Sequence, residues 1–324
     1  MDYSFQRYLN AKRTVDDRAL NRTVWQTMLK QLEDRSSTQP LQVIEIGAGT
    51  GTMLHRLVEW GALKRGTYLG IDSDATNIQS ALSDLPAWVE AQGLACTPAP
   101  DGFDLSGREF QLRASFQTRE VANVVAKPGG QGYDLLVANA FLDLVDPSAL
   151  LTQFGQWMLR GGLGYFSINF DGLTHFEPQL DPELEEKIIG LYHQSMDDRR
   201  VDGQPTGGSQ TGRHLYNQLR ASGWELIAAG ASDWVVHPVS GGYPADEAYF
   251  LTHILHFFEV TLAGNPELDP LAFQRWLAAR RQQIKDAELF FVVHQLDYLA
   301  RWPFDDPRLP GEPLLPARPV QPMN

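Results

Sequence analysis

LQVIEIGAGTGT, residues 41–52, is an apolar run that stops at a loop with glycines at alternate positions. The run VIEI is rich in β-branched residues and almost continuously apolar, which is typical of a strand buried on both faces of a parallel sheet. The segment MLHRLVEW that follows has apolar residues at helical spacing. The stretch therefore predicts a strand, a ligand-binding turn and a helix.

The spacing of the glycines distinguishes this loop from the dinucleotide-binding fingerprint. That fingerprint reads G-x-G-x-x-G. Here Gly47, Gly49 and Gly51 are each two residues apart, and Glu45 lies two residues before the first of them. Glycine permits a tight turn and a close approach of ligand to backbone. The loop predicts nucleoside binding and argues against NAD, so a dehydrogenase is the weakest interpretation.

The pattern E-x-G-x-G-x-G resembles motif I of the class I S-adenosylmethionine-dependent methyltransferases. A second strand predicted at 67–74 includes Asp72, about where related folds place a ribose-binding acid. Its carboxylate can accept hydrogen bonds from both ribose hydroxyls. The alternative is that Asp72 only caps the helix that begins near Asp74.

Later segments follow the same family pattern in order. A fourth strand is predicted at 133–139, beginning near Asp134 and ending in Asn139. A helix, the turn Arg160-Gly161-Gly162 and a fifth strand at 163–170 come next. The resemblance covers about residues 40–170, and so is more specific than one glycine loop.

The resemblance implies S-adenosylmethionine as cofactor and S-adenosylhomocysteine as product. The residues it places at the cofactor are Glu45, Gly47, Ala48, Gly49, Gly51, Asp72, Ser73, Ser115, Phe116 and Asn139. Glu45 would lie near the methionyl ammonium or would accept hydrogen bonds from the loop amides, and both alternatives stay open. The family usually has an acid after the third strand. Here the strand predicted at 109–115 ends in Ser115 and Phe116, so a hydroxyl and an aromatic face would take its place at the adenine.

The predicted fold is α/β, with a seven-stranded, mostly parallel sheet, helices on both faces, and a seventh strand antiparallel to the sixth. Residues 1–38 form an N-terminal helical cap and residues 39–300 the methyltransferase-like α/β domain. Within that domain, 171–215 is a substrate or lid insertion and 243–287 is a helical insertion between the last two strands. Residues 301–324 are proline-rich and are predicted to form an extended tail.

His175 is the candidate catalytic base, because it follows the predicted end of the fifth strand, where such folds keep their chemistry. The competing interpretation is a solvated loop histidine. His175, His193 and His214 are widely spaced, and His253 and His256 lie three apart inside an apolar helix. Two ligands are not a metal site, so we expect no metal.

Composition narrows the choice of partner. The chain has 27 basic and 40 acidic residues and a net charge of -13, so nucleic acid is disfavoured and a small-molecule acceptor is expected. The single cysteine, Cys96, excludes an intrachain disulfide and fits a reducing, cytoplasmic compartment. We see no signal peptide and no apolar run long enough to span a membrane. The helical insertion offers a cap or a homodimer surface.

The sequence thus predicts in-line methyl transfer from S-adenosylmethionine to O, N or C of a small molecule. The main alternative is a non-catalytic subunit that binds the nucleoside and lacks an acceptor pocket.

Overall fold

The computed structural model describes residues 3–36, 39–124 and 132–303, so most of the predicted tail at 301–324 lies outside the described residues. The helices are α1 (Phe5–Ala19), α2 (Arg22–Ser36), α3 (Thr52–Glu59), α4 (Ala75–Ala91), α5 (Pro147–Trp157), α6 (Pro182–Asp197), α7 (Thr211–Ala221), α8 (Glu247–Leu262) and α9 (Pro270–Lys285). The strands are β1 (Leu41–Ile46), β2 (Arg65–Asp72), β3 (Ala95–Ala99), β4 (Gly102–Gly107), β5 (Phe110–Thr118), β6 (Tyr133–Asn139), β7 (Met158–Glu177), β8 (Arg200–Val201), β9 (Gln204–Pro205), β10 (Glu225–Ala231), β11 (Trp234–Val236) and β12 (Phe290–Arg301).

Several helices begin where the sequence supplies a cap. Asp146, Asp181 and Asp269 each accept a hydrogen bond from a backbone N–H in the first turn of α5, α6 and α9. Each is followed by a proline, whose missing N–H costs nothing at the first helical position. Asp74 caps α4 in the same way, through the amide of Thr76.

Ten strands of the described chain form one sheet in the order β10-β12-β7-β6-β1-β2-β5-β4-β3, with β11 also paired to β12. The centre is parallel, and β12 runs antiparallel to both β7 and β10. The α/β class and the antiparallel last strand are confirmed. The predicted number of strands, seven, is wrong, because the hairpin β3–β4 and the short β11 also join the sheet. Most side chains of β3 and β4 are exposed or half-buried. Their sequences therefore lack the alternation of apolar and polar residues that predicts a strand.

Alternate residues of the central strands belong to two hydrophobic cores, one on each face of the sheet. Val43 and Leu135 pack on the face covered by α1–α4, α8 and α9, whereas Ile44 and Leu136 pack on the face covered by α5 and α7. Burial of each such side chain contributes about 1.5–3 kcal/mol. Helices on both faces leave the strand ends as the place for a ligand. The chain order reverses beside β1, which lies between β2 and β6, and such a reversal opens a crevice at the carboxyl ends of the strands.

Two strands are longer than predicted. β5 continues to Thr118 and β7 continues to Glu177, so the predicted ends at 115 and 170 are wrong. β7 bends at Ile168, where φ is +56°, and at Gly172, where φ is +77°. The predicted helical insertion is present as α8 and α9 between β11 and β12. Among the described residues, no helix has the length and apolarity needed to cross a bilayer.

Candidate functional site

The glycine loop joins β1 to α3 in a left-handed turn. The φ angles of Gly47, Gly49 and Gly51 are +70°, +54° and +80°. A Cβ on Gly47 would lie 2.7 Å from the Phe141 ring, and a Cβ on Gly49 would lie 3.3 Å from Leu9. Side chains are therefore excluded at both positions by backbone strain and by contact. Gly51 instead faces Phe116 and α4, so its role is in the turn.

Asp72 ties this loop to the end of β2. Its Oδ2 accepts a hydrogen bond from the Gly49 amide at 2.8 Å. Its Oδ1 accepts from the Asp74 amide at 2.9 Å and from Asn77 Nδ2 at 3.2 Å. Because a carboxylate has about four acceptor positions, room is left for a ligand hydroxyl. Capping of α4 belongs to Asp74, so capping does not explain why an acid stands at position 72.

Glu45 forms the buried floor beneath the loop. It is 2% exposed, and its Oε2 accepts a hydrogen bond from the Tyr68 hydroxyl. Its hydrogen-bond partner is thus Tyr68 of the neighbouring strand β2, and not the backbone amides of the glycine loop, which were one of the two predicted alternatives. Burial raises the pKa of Glu45 to about 8, although the Tyr68 hydrogen bond lowers it. The carboxyl group is therefore mainly protonated at neutral pH.

A cleft of about 410 Å³, the glycine-loop cleft, opens at these strand ends. Seven of the ten predicted cofactor residues line it: Glu45, Gly47, Ala48, Gly49, Asp72, Ser73 and Asn139. The opposite wall is α1, through Phe5, Leu9, Lys12 and Asp16. Its volume falls in the usual range for a bound cofactor.

Ser115 and Phe116 do not line the cleft, and this corrects the predicted adenine contact. Because β5 continues to Thr118, the Ser115 hydroxyl lies within the sheet and donates to the Tyr68 carbonyl at 3.1 Å. Phe116 is buried against Gly51 and Gly70. Arg119, Glu120 and Val121 line the cleft instead. Glu120 is the first acidic residue after β5. The alternation of Leu112, Ala114 and Phe116 continues beyond residue 115. A strand predicted from that alternation would have ended close to Glu120 and would have indicated it as a candidate.

A second cavity of about 420 Å³, the aromatic chamber, adjoins the cleft. Its walls come mainly from α1, β7, α6, β11, α8 and β12. Its aromatic members are Phe5, Tyr8, Phe170, Tyr192, Trp234, Phe257, Phe258 and Phe291. The two cavities share Phe5, Leu9, Lys12, Ala140 and Leu144, so they meet. The Lys12 ammonium at this junction is held by Asp16 at 2.9 Å, and Asp16 also accepts from Trp234 Nε1.

Asp143 also lines the aromatic chamber, in the one-turn helix Leu142–Leu144 that follows β6. Burial raises the pKa of its carboxyl group, while Arg199 and Lys12 lower it. Asp143, Lys12 and Glu120 were not among the site residues predicted from the sequence. The one local signal for Asp143 is its position, four residues after Asn139 at the end of a predicted strand.

His175 lines neither cavity, although its neighbour Thr174 lines the aromatic chamber. It is on β7, opposite Val292 of β12, where the prediction expected a loop. Its Nε2 lies 2.9 Å from Glu177 Oε1, and the two side chains are 43% and 47% exposed. Because β7 continues through position 175, successive side chains point to opposite faces of the sheet, and Thr174 rather than His175 lines the chamber. The described residues contain no group of three histidine, cysteine or acidic side chains that could hold a metal ion.

A polar groove of about 1120 Å³ lies between α2 and the start of β2. It is larger than either cavity, but it lies at the amino end of β2 and contains no predicted site residue. Ligands of open α/β sheets bind at the other end of the strands. The candidate site is therefore the cleft with its chamber.

No family model and no curated protein matches the chain. Among solved structures, a Bacillus halodurans protein assigned as a methyltransferase has a TM-score of 0.45 and 11% identity, covering 85% of this chain and 98% of that one. The cyclase SpnF has a TM-score of 0.41 and 14% identity, covering 93% and 95%. Magnesium protoporphyrin IX methyltransferase from Synechocystis, solved with SAH, has a TM-score of 0.40 and 14% identity, covering 72% and 83%.

The strand order, with antiparallel β12 between β7 and β10, is that of the class I S-adenosylmethionine-dependent methyltransferase fold. One fold serves many activities, so the activity is argued from the cavities and their side chains.

Proposed function

We propose that this protein transfers a methyl group from S-adenosylmethionine to an apolar small molecule. The observation that carries the proposal is that the glycine-loop cleft and the aromatic chamber are adjacent and share lining residues, among them Lys12 and Ala140. A donor in the first cavity and an acceptor in the second would face each other at that junction.

The residues of the cleft fit the donor. Gly47 and Gly49 line the cleft with backbone alone, which lets a ligand approach the loop closely. Asp72 has remaining acceptor capacity for a ribose hydroxyl, and Glu120 would accept from the adenine amino group. S-adenosylmethionine, when bound, supplies a methyl group on a sulfonium that is already an excellent leaving group.

The protein's own contribution is then mainly alignment and exclusion of water. Holding the acceptor atom, the methyl carbon and the sulfur in line removes most of the entropic part of the barrier. The chamber walls, made of residues such as Phe170 and Phe258, hold an apolar body while α1 covers the junction. Lys12 and Asp16 form a buried ion pair there, with side chains 8% and 3% exposed.

Binding of each nucleotide tests the proposal directly. Calorimetry should show that S-adenosylmethionine and S-adenosylhomocysteine bind, whereas NAD does not. Asp72→Ala should weaken binding by about 10-fold or more, because it removes a charged acceptor. Asp84→Ala is the matched control, since that exposed acid lines neither cavity. Binding of NAD alone would overturn the proposal.

A non-catalytic nucleoside-binding subunit is the remaining alternative. It would bind S-adenosylmethionine without consuming it in the presence of any acceptor. The presence of the aromatic chamber favours an enzyme, and formation of S-adenosylhomocysteine with apolar acceptors distinguishes the two.

A further inference from the structure

Asp143 lies where the two cavities meet. Its neighbours in sequence include Ala140 and Leu144, which line both cavities, and Asp143 itself lines the aromatic chamber. Lys12, the basic residue shared by the cavities, lies close enough to affect the ionisation of Asp143. A group at this place would be next to the atom that receives the methyl group.

The fold makes little use of the Asp143 carboxylate. Within the described residues it accepts a hydrogen bond only from its own backbone N–H, and it forms no ion pair within 4.0 Å. Asp16, by contrast, is fully engaged by Lys12 and Trp234. The Asp143 carboxylate is therefore available to a ligand.

The charges around Asp143 favour an acceptor that becomes negative. Lys12 of α1 and Arg199, just beyond α6, are the two basic side chains that line the chamber. The tyrosines Tyr8 of α1 and Tyr192 of α6 also lie within the electrostatic reach of Asp143. Two basic groups and a cationic donor disfavour an ammonium ion at this place, but they stabilise an oxygen that is losing its proton.

The walls specify the rest of the acceptor. Aromatic side chains from six different elements surround a volume of about 420 Å³, enough for a flat apolar molecule of two or more rings. Ring faces and edges pack well against another aromatic system. A hydroxyl on such a body, pointing to the junction, would meet Asp143.

We propose that the aromatic chamber binds a phenol and that Asp143 accepts the phenolic proton during methyl transfer. The inference rests on the proposed function. The phenolic O–H bond breaks and its proton passes to Asp143. An oxygen electron pair forms the O–CH₃ bond, and the pair of the breaking C–S bond stays on sulfur. Asp143 then returns the proton to solvent.

The test uses a naphthol, with the matching naphthylamine and naphthalene as probes. Naphthol absorbance distinguishes the bound phenol from its anion without any cofactor. An ionised Asp143 beside the probe opposes formation of the anion, so Asp143→Asn should lower the pKa of bound naphthol by about one unit or more. Glu186→Gln is the matched control. That exposed acid on α6 lines neither cavity and should leave the pKa of bound naphthol unchanged.

Methylation supplies the second readout. Asp143→Asn should lower the turnover of naphthol at neutral pH by about 10²–10⁴-fold, the usual contribution of a general base. Its residual rate should climb with pH as naphthol ionises by itself, while Asp143→Glu should recover part of the activity. Affinity for S-adenosylmethionine should stay the same in both variants.

Three results would overturn the inference. These are naphthol binding no tighter than naphthalene, an unchanged pKa of bound naphthol in Asp143→Asn, and faster methylation of naphthylamine than of naphthol. Failure of the wild-type protein to bind S-adenosylmethionine would instead overturn the proposed function, and the naphthol pKa would still report on the chamber.

Discussion

The Asp297 carboxylate accepts a hydrogen bond from the backbone N–H of Ile168 at 2.8 Å. Ile168 is the residue at which β7 bends with a positive φ, and it lines the aromatic chamber. The other oxygen of Asp297 accepts from the Asn21 amide, between α1 and α2. One fully buried acid of β12 thus fixes both a wall of the chamber and the start of the second helix.

Replacement of Asp297 by alanine should lower the free energy of unfolding by about 2–5 kcal/mol, because the buried N–H of Ile168 and the partly buried N–H of Asn21 lose their acceptor. Denaturant titration measures this, with Asp84→Ala as the control. A loss no larger than that of the control would show that water or other groups satisfy these amides.

Glu45 should make stability depend on pH. Its folded pKa of about 8 lies above the ordinary value of about 4.3 for glutamate. The contribution of Glu45 is therefore fully present below pH 4 and is lost as the pH rises through 8. Glu45→Gln should flatten this dependence by an amount on the order of a few kcal/mol. Unfolding curves between these limits decide the matter, and equal slopes for wild type and variant would contradict the assigned pKa.

Gly47→Ala should weaken S-adenosylmethionine binding and also destabilise the fold, since Cβ would meet the Phe141 ring at 2.7 Å and φ is +70°. Gly190→Ala is the matched control. Gly190 lies inside α6 with open space around the added Cβ, so this change should stabilise the protein by about 0.5–1 kcal/mol. Calorimetry and thermal melting measure both effects. An equal response of the two variants would refute the steric argument.

Glu120→Gln should weaken S-adenosylmethionine binding by about 10-fold, because an acceptor for the adenine amino group is replaced by a poorer one. Ser115→Ala should leave the affinity unchanged, since Ser115 bonds only within the sheet. If Ser115→Ala weakens binding and Glu120→Gln does not, adenine is bound as the sequence first predicted.

His175→Ala should leave turnover within about twofold of wild type, as expected for a surface change away from the site. Among the residues that the structure describes, the side chain pairs only with Glu177, and it lines neither cavity. Steady-state kinetics with a methylated acceptor measure this. A large loss of turnover with unchanged cofactor affinity would return His175 to the list of candidate bases.

The parts of the site that the sequence predicted are those coded locally. The glycine loop and Asp72 follow directly from a buried strand, and the apolar strand before Asn139 ends at that residue as expected. Ser115 and Phe116 were wrongly predicted to follow the end of a strand. A polar residue within an alternating strand cannot be distinguished from a strand end by sequence alone. The chamber could not be predicted, since Tyr8, Phe170 and Phe257 meet only after three distant elements pack.

The wall that α1 gives to both cavities is fastened to α8. Arg7 lies 2.8 Å from Asp246, and Arg18 forms two hydrogen bonds to the buried Glu247. Basic residues of α1 and acidic residues some 230 positions later must therefore keep opposite charges for α1 to stay in place. In homologous sequences, a change of charge at position 18 should be accompanied by a compensating change at position 247, and drift in the late helical insertion would reshape the entrance used by both ligands.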